Sequence, residues 1–280
     1  MYTVPMIKSA PLLAVAALLV VSPLAHAQFC GGPSAAHDLV FQDLAATWDE
    51  ALPLGNGMLG ALVWRKDGRI RLSLDRADLW DLRPMENLRG PEWTWSWVLD
   101  HWRKNDYKPV QERFDRPYDQ NPAPTKIPAG ALELGLNDFG KPESVRLSIA
   151  DGLAAVVWPG GRKLEAYVHA RKPEGWFRVT GVGPDFEPRP AMPPYQVAKD
   201  QSAGNSLSGQ DLGRLGYPQG RIREGDRLLV YRQEGWGGFY YDIAVAWRPT
   251  GPDAIEGVWS ISSRFSDGRG EPSAEASVRA

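Results

Sequence analysis

The sequence is poor in cysteine and histidine and has no surplus of either charge. A single cysteine, Cys30, cannot close an internal disulfide, so the fold must rest on its core. His37, His101 and His169 lie far apart and lack metal-ligand spacing, so no metal site and no cofactor is expected. Net charge is −2, which gives no basic pull toward nucleic acid or anionic lipid. The one long apolar run, Pro11 to Ala27, is short of the roughly 20 residues of a spanning helix and is interrupted by Pro23. A nucleophile elbow G-x-S-x-G, a P-loop and a zinc H-E-x-x-H are all absent.

What the N-terminus does have is an ordered set of export features. Lys8 precedes the apolar run, and Ala25-His26-Ala27 is a small-x-small cleavage site. Residues 1–27 therefore read as a secretory signal peptide, which places the protein in the periplasm or outside the cell, with no membrane attachment after cleavage. Gly (29) and Pro (24) are too frequent for a helical protein and suit short strands joined by turns. Trp is also abundant, at 12 residues. Such rings either pack a core or stack on sugar faces.

The stretch "WDEALPLGNGMLGALVW" contains Gly55-Asn56-Gly57-Met58-Leu59-Gly60, a literal G-x-G-x-x-G. A dinucleotide fingerprint must follow a strand and open a helix. Here Ala61 to Trp64 is short and rich in β formers, and Lys66-Asp67-Gly68 is a turn signal. Ile70, Leu72 and Leu74 then alternate with polar residues. The pattern is a hairpin, and the glycines serve a tight backbone path before a strand.

Trp95, Val98, Leu99 and Trp102 recur at helical spacing. This predicts a helix over about 93–104 and a short one over about 109–114, with Pro109 in the first turn. From Gly130 onward the pattern is β, including a hairpin around Pro159-Gly160-Gly161. Residues 183–226 are expected to be loop, with "YQVA" (195–198) the one strand-like piece. Residues 266–280 are expected to be linker, since apolar residues almost vanish after Phe265. The fold class is therefore all-β in the main, a large antiparallel β-sandwich spanning 28–265 with one or two short flanking helices around 93–115.

Carboxylates are plentiful, among them Asp49, Glu50, Asp75, Asp78 and Asp81, but sequence cannot set two of them across a scissile bond. Trp48, Glu50, Ala51, Leu52, Pro53, Gly55, Asn56, Gly57, Gly60 and Ala61, followed by Asp78-Leu79-Trp80, do carry a resemblance. They follow W-x-E-A-L-P-x-G-N-G-x-x-G-A and a later acidic L-W segment. This order resembles the opening of the N-terminal domain of glycoside hydrolase family 95. "IPAGALELGL" and "VRLSIADGLAAVVWPGGRKLEAYVHAR" resemble its following strands. The family's N-E-D-T-L-W-S-G is replaced by "DRADLWDL", as in a divergent branch.

The resemblance implies an N-terminal super-sandwich that accompanies an α/α-toroid catalytic domain in exported α-L-fucosidases and α-L-galactosidases. The acid and base would lie in the toroid, beyond residues 266–280, so no catalytic residue is assigned here and the chain alone is expected to be inactive. Trp48, Glu50, Asn56, Asp78 and Trp80 are the candidates for substrate contact or for the seam with the toroid. The partners implied are a glycan and that toroid. The alternative is a free-standing carbohydrate-binding module that stacks sugars on exposed tryptophans among Trp93, Trp95, Trp97 and Trp236.

Overall fold

A computed structural model describes residues 32–85, 90–117, 123–193, 195 and 212–279. Residues 1–27, expected to be a signal peptide, and all of "YQVA" except Tyr195 lie outside the described residues. The chain folds as an antiparallel sandwich of two sheets. The smaller has five strands in the order β12-β7-β4-β3-β2, with β2 at Leu52–Gly55, β3 at Leu59–Lys66, β4 at Arg69–Arg76, β7 at Gly130–Leu134 and β12 at Arg189–Ala191.

The larger sheet has nine strands in the order β1-β8-β9-β10-β11-β16-β15-β14-β13. These are β1 (Leu39–Phe41), β8 (Ser144–Ser148), β9 (Leu153–Trp158), β10 (Arg162–Val168), β11 (Glu174–Thr180), β13 (Arg221–Gly225), β14 (Leu228–Glu234), β15 (Phe239–Gly251) and β16 (Ala254–Phe265). A separate two-stranded ribbon joins β5 (Trp80–Asp81) to β6 (Thr125–Lys126).

Period-two patterning decides which side chains enter the core. On β4, Ile70, Leu72 and Leu74 are buried, and they meet Tyr241, Ile243 and Val245 of β15 in one cluster between the sheets. The β3–β4 turn places both Asp67 (φ 50°) and Gly68 (φ 77°) in the left-handed region, the pairing a two-residue hairpin prefers. The G-x-G-x-x-G is likewise a hairpin. Gly55 pairs with Gly60 across β2 and β3, Gly57 turns at φ 89°, and a strand rather than a helix leaves Gly60.

Helix α1 spans Trp95–Arg103, capped by Thr94, whose hydroxyl accepts from the Trp97 N–H. Helix α2 spans Lys108–Phe114 with proline in its first turn. The two pack chiefly on each other. None of the helices in the described residues is long and apolar enough to cross a membrane.

Two expectations are corrected. Residues 183–226 include two strands, β12 and β13, while Tyr195 is in none. Each adds an edge to its sheet by backbone pairing and needs no apolar alternation. Within the run expected to be linker, Ala274–Arg279 forms a helix, α3. Ala274 is fully buried with Leu228, Val230 and Ala244 on the outer face of the larger sheet, and Val278 packs beside it. The Ala274 N–H also donates to Ser262 Oγ at 3.0 Å. Two small apolar residues one turn apart suffice to seat this helix, a signal too sparse to stand out among polar neighbours.

Candidate functional site

The inward phase of β4 continues past Leu74 to Arg76, and the sandwich therefore receives an arginine that is 1% exposed. Its Nη1 reaches the opposite sheet and donates to the Ile261 carbonyl on β16 at 3.0 Å. Its Nε donates to Asp78 Oδ1 at 2.7 Å, and its Nη2 lies 2.9 Å from Glu271 Oε2. Ser263 Oγ donates to Asp78 Oδ2 at 2.6 Å. Lys126 Nζ, on the ribbon, donates to Asp75 Oδ1 and to the Arg76 carbonyl at 2.6 and 2.7 Å. One buried cation thus ties both sheets, the ribbon and the C-terminal segment together at one end of the sandwich.

Asp81 anchors the other side of the ribbon. It is buried and accepts from Arg83 Nη2 and from the Tyr217 hydroxyl, each at 2.6 Å. Burial pushes both Asp78 and Asp81 upward. The bonds from Arg76 and Ser263 to the first, and from Arg83 and Tyr217 to the second, outweigh it and hold both below the usual carboxylate range. Burial, reinforced by the Asp81 charge, pushes the Tyr217 phenol far up, so it remains a donor. Among the described residues, Asp38 and Asp267 are the other carboxyls with a resolved shift, and both are lowered. A glycosidic general acid needs the opposite, a carboxyl held protonated near neutrality.

Of the five residues singled out in the sequence, three converge here. Asn56 occupies the β2–β3 turn, where its side-chain oxygen accepts from Met58 N and Leu59 N at 3.0 and 2.8 Å. Its amide donates to the carbonyls of His169 and Lys172 at 2.9 and 3.3 Å, which pins this turn to the segment between β10 and β11. Trp80 Nε1 donates to the Ala77 carbonyl at 2.9 Å, while Ala77 N donates to Met58 O at 2.8 Å. These bonds bring Met58 (44% exposed) and Trp80 (45%) toward one surface, and Leu82 (70%) follows just beyond the ribbon strand. The patch borders the Asp78–Arg76 cluster.

Trp48 and Glu50 are not part of it. They lie in a 3-10 turn before β2, and antiparallel pairing of Leu52 with Val63 puts them at the opposite end of that strand. Asp49 and Glu50 line a separate cavity of about 470 Å³ with Phe41 and Val145. The four tryptophans considered for sugar stacking are also separated in role. The rings of Trp93 and Trp97 pack on Phe114 at 4.5 and 6.5 Å, whereas Trp95 and Trp236 are exposed.

Sequence reasoning missed Arg76, Lys126, Tyr217, Ser263 and Glu271. The one available signal was Arg76 itself, an arginine in phase with three inward aliphatic residues. Among the described residues no group of three or more His, Cys, Asp or Glu could hold a metal ion.

Residues 39–146 match the family model of the glycosyl hydrolase family 65 N-terminal domain. The matched segment contains β1 to β4, helices α1 and α2, the ribbon and Asp78. No curated protein matches the chain. This part of the chain is thus similar to an N-terminal domain of a glycoside hydrolase, and the family matched is 65 where the motifs suggested 95.

Proposed function

We propose that this chain is the non-catalytic β-sandwich domain of an exported, family 95-like glycoside hydrolase acting on α-L-fucosyl or α-L-galactosyl glycans. It docks an α/α-toroid catalytic domain through the end of the sandwich that bears Met58, Trp80 and Leu82. The observation that carries the reading is the match of residues 39–146 to an N-terminal glycoside hydrolase domain. That segment contains all three patch residues. The export features of residues 1–27 and the Gly-Asn-Gly and Asp-Leu-Trp motifs support the finer assignment. The chemistry of the cluster agrees with docking better than with hydrolysis. Asp78 and Asp81 are saturated with donors and held ionised, so neither has a proton to give a leaving group.

The purified chain, incubated with p-nitrophenyl α-L-fucopyranoside and α-L-galactopyranoside, is expected to release no nitrophenol above buffer. Turnover that is abolished by Asp78→Asn or Asp81→Asn would overturn the proposal.

A further inference from the structure

The outer face of the larger sheet carries a groove lined by none of Met58, Trp80 and Leu82. It lies between the edge strand β13, strands β14 and β15, and the start of α3, and has a volume of about 570 Å³, within the range of small-molecule sites. Three arginines and three carboxylates line it. Two of the arginines are already held. Arg232 donates two hydrogen bonds to Asp242, at 2.7 and 2.8 Å, and its guanidinium lies over the Tyr240 ring at 4.4 Å. Arg223 is paired with Glu275 of α3. Arg221 is exposed and has no hydrogen-bond or ion-pair partner among the described residues.

Arg221 stands directly opposite Arg232 in the β13–β14 register, so both side chains project from the same face. Like charges in that position are destabilising. Arg232 is neutralised by Asp242, but nothing among the described residues neutralises Arg221. An anionic group beside Arg221 would offset the repulsion and use its planar donors, which suit a carboxylate, while the Arg232 fork stays with Asp242. The other charges in the groove narrow the choice of anion. Glu234, Asp242 and Glu275 oppose a multiply charged phosphate or a polyanion, yet they can accept hydrogen bonds from hydroxyl groups. The groove therefore suits a ligand with one carboxylate and many hydroxyls.

We propose that this groove binds a carboxylate-bearing sugar of the uronic acid class, with Arg221 as the residue that reads the carboxylate. The site is lined by none of Met58, Trp80 and Leu82 and does not depend on the docking assignment. The test is titration of the isotopically labelled full chain with methyl β-D-glucuronide, methyl β-D-glucoside, inorganic phosphate and a short acidic peptide, followed by amide NMR shifts.

The glucuronide is expected to give saturable shifts in β13 and β14, with affinity about tenfold or more above the glucoside. Arg221→Ala should weaken it by about tenfold and Arg221→Lys by less. Since Arg221 has no side-chain partner among the described residues and faces a like charge, the alanine variant should unfold at the parent's midpoint or slightly above it. Gln219→Ala, also in the groove, offers a second and independent loss of affinity should that variant misfold. Glucuronide binding that the glucoside equals, that phosphate or the peptide displaces at equal concentration, or that is absent altogether would overturn the proposal. So would an unchanged affinity in folded Arg221→Ala.

Discussion

Removing the charges around Arg76 in different combinations should have unequal costs, because only one member of the cluster is buried. Arg76 is 1% exposed, whereas the side chains of Asp78 and Glu271 are 39% and 47% exposed. Asp78→Ala with Glu271→Ala leaves the guanidinium in the core with the Ile261 carbonyl as its main remaining partner, and stranding a buried charge costs about 3–5 kcal/mol. Arg76→Met keeps most of the stem volume and releases two carboxylates that water already reaches. Its main loss is the bond to the Ile261 carbonyl, a cost of about 1–2 kcal/mol. The triple variant should then resemble Arg76→Met, since no charge remains to be stranded. With a urea m-value of roughly 2 kcal/mol/M, the midpoints of Arg76→Met and the double alanine variant should differ by about 1 M. The assay is urea unfolding at neutral pH followed by tryptophan fluorescence. If Arg76→Met loses as much stability as the double alanine variant, or if the triple variant is the least stable, the desolvation argument fails.

Asn56 makes four bonds around the β2–β3 turn, so Asn56→Ala should lower stability by about 2 kcal/mol with no specific effect on any sugar binding elsewhere. Asn56→Asp should not rescue it at neutral pH, because a carboxylate would face the His169 and Lys172 carbonyls without a proton to donate; equal unfolding midpoints for parent and Asn56→Asp would refute this. Asp81 gives a pH prediction. Its folded carboxyl lies below the unfolded value of about 3.9, so its contribution is fully present above that pH and is lost as pH falls through the folded value. Between neutrality and pH 5 the parent and Asp81→Asn should run parallel in urea midpoint. Below about pH 4 the parent should fall more steeply, and parallel curves throughout would show that Asp81 carries no such linkage.

The legible part of the fold was the part in which local pattern and tertiary environment agree. The β3–β4 hairpin combines inward aliphatic residues with a turn that needs two left-handed residues. Helix α1 combines helical spacing with a capping threonine. Strands β12 and β13 escaped because an edge strand needs only backbone pairing, and α3 escaped because two small residues seat it. The candidate site was half visible for a related reason. Asp78 and Trp80 stand in a recognisable segment, but Ile261 is 185 residues from Arg76 and Tyr217 is 136 residues from Asp81. No local rule connects them. Trp48 and Glu50 share one motif with Asn56, and an extended β2 separates what that motif places side by side.

The burial pattern of the cluster also constrains what can cover it. A docking partner that covers Met58, Trp80 and Leu82 removes apolar surface from water and gains from doing so. The same contact desolvates the partly exposed carboxylates of Asp78 and Glu271; Asp78 has internal donors on both oxygens, but Glu271 is held by Arg76 alone, and an apolar lid would leave it short of partners at a cost that opposes docking. The donors that Arg76, Ser263 and Lys126 supply come from within the domain and are already committed to the cluster. The complementary face must therefore bring its own donors, an arginine or lysine set beside an apolar centre. Such an interface tightens as salt is removed, because the rim charges are attracted over a Debye length of about 10 Å at 0.1 M ionic strength. A purely apolar seam would show no such dependence.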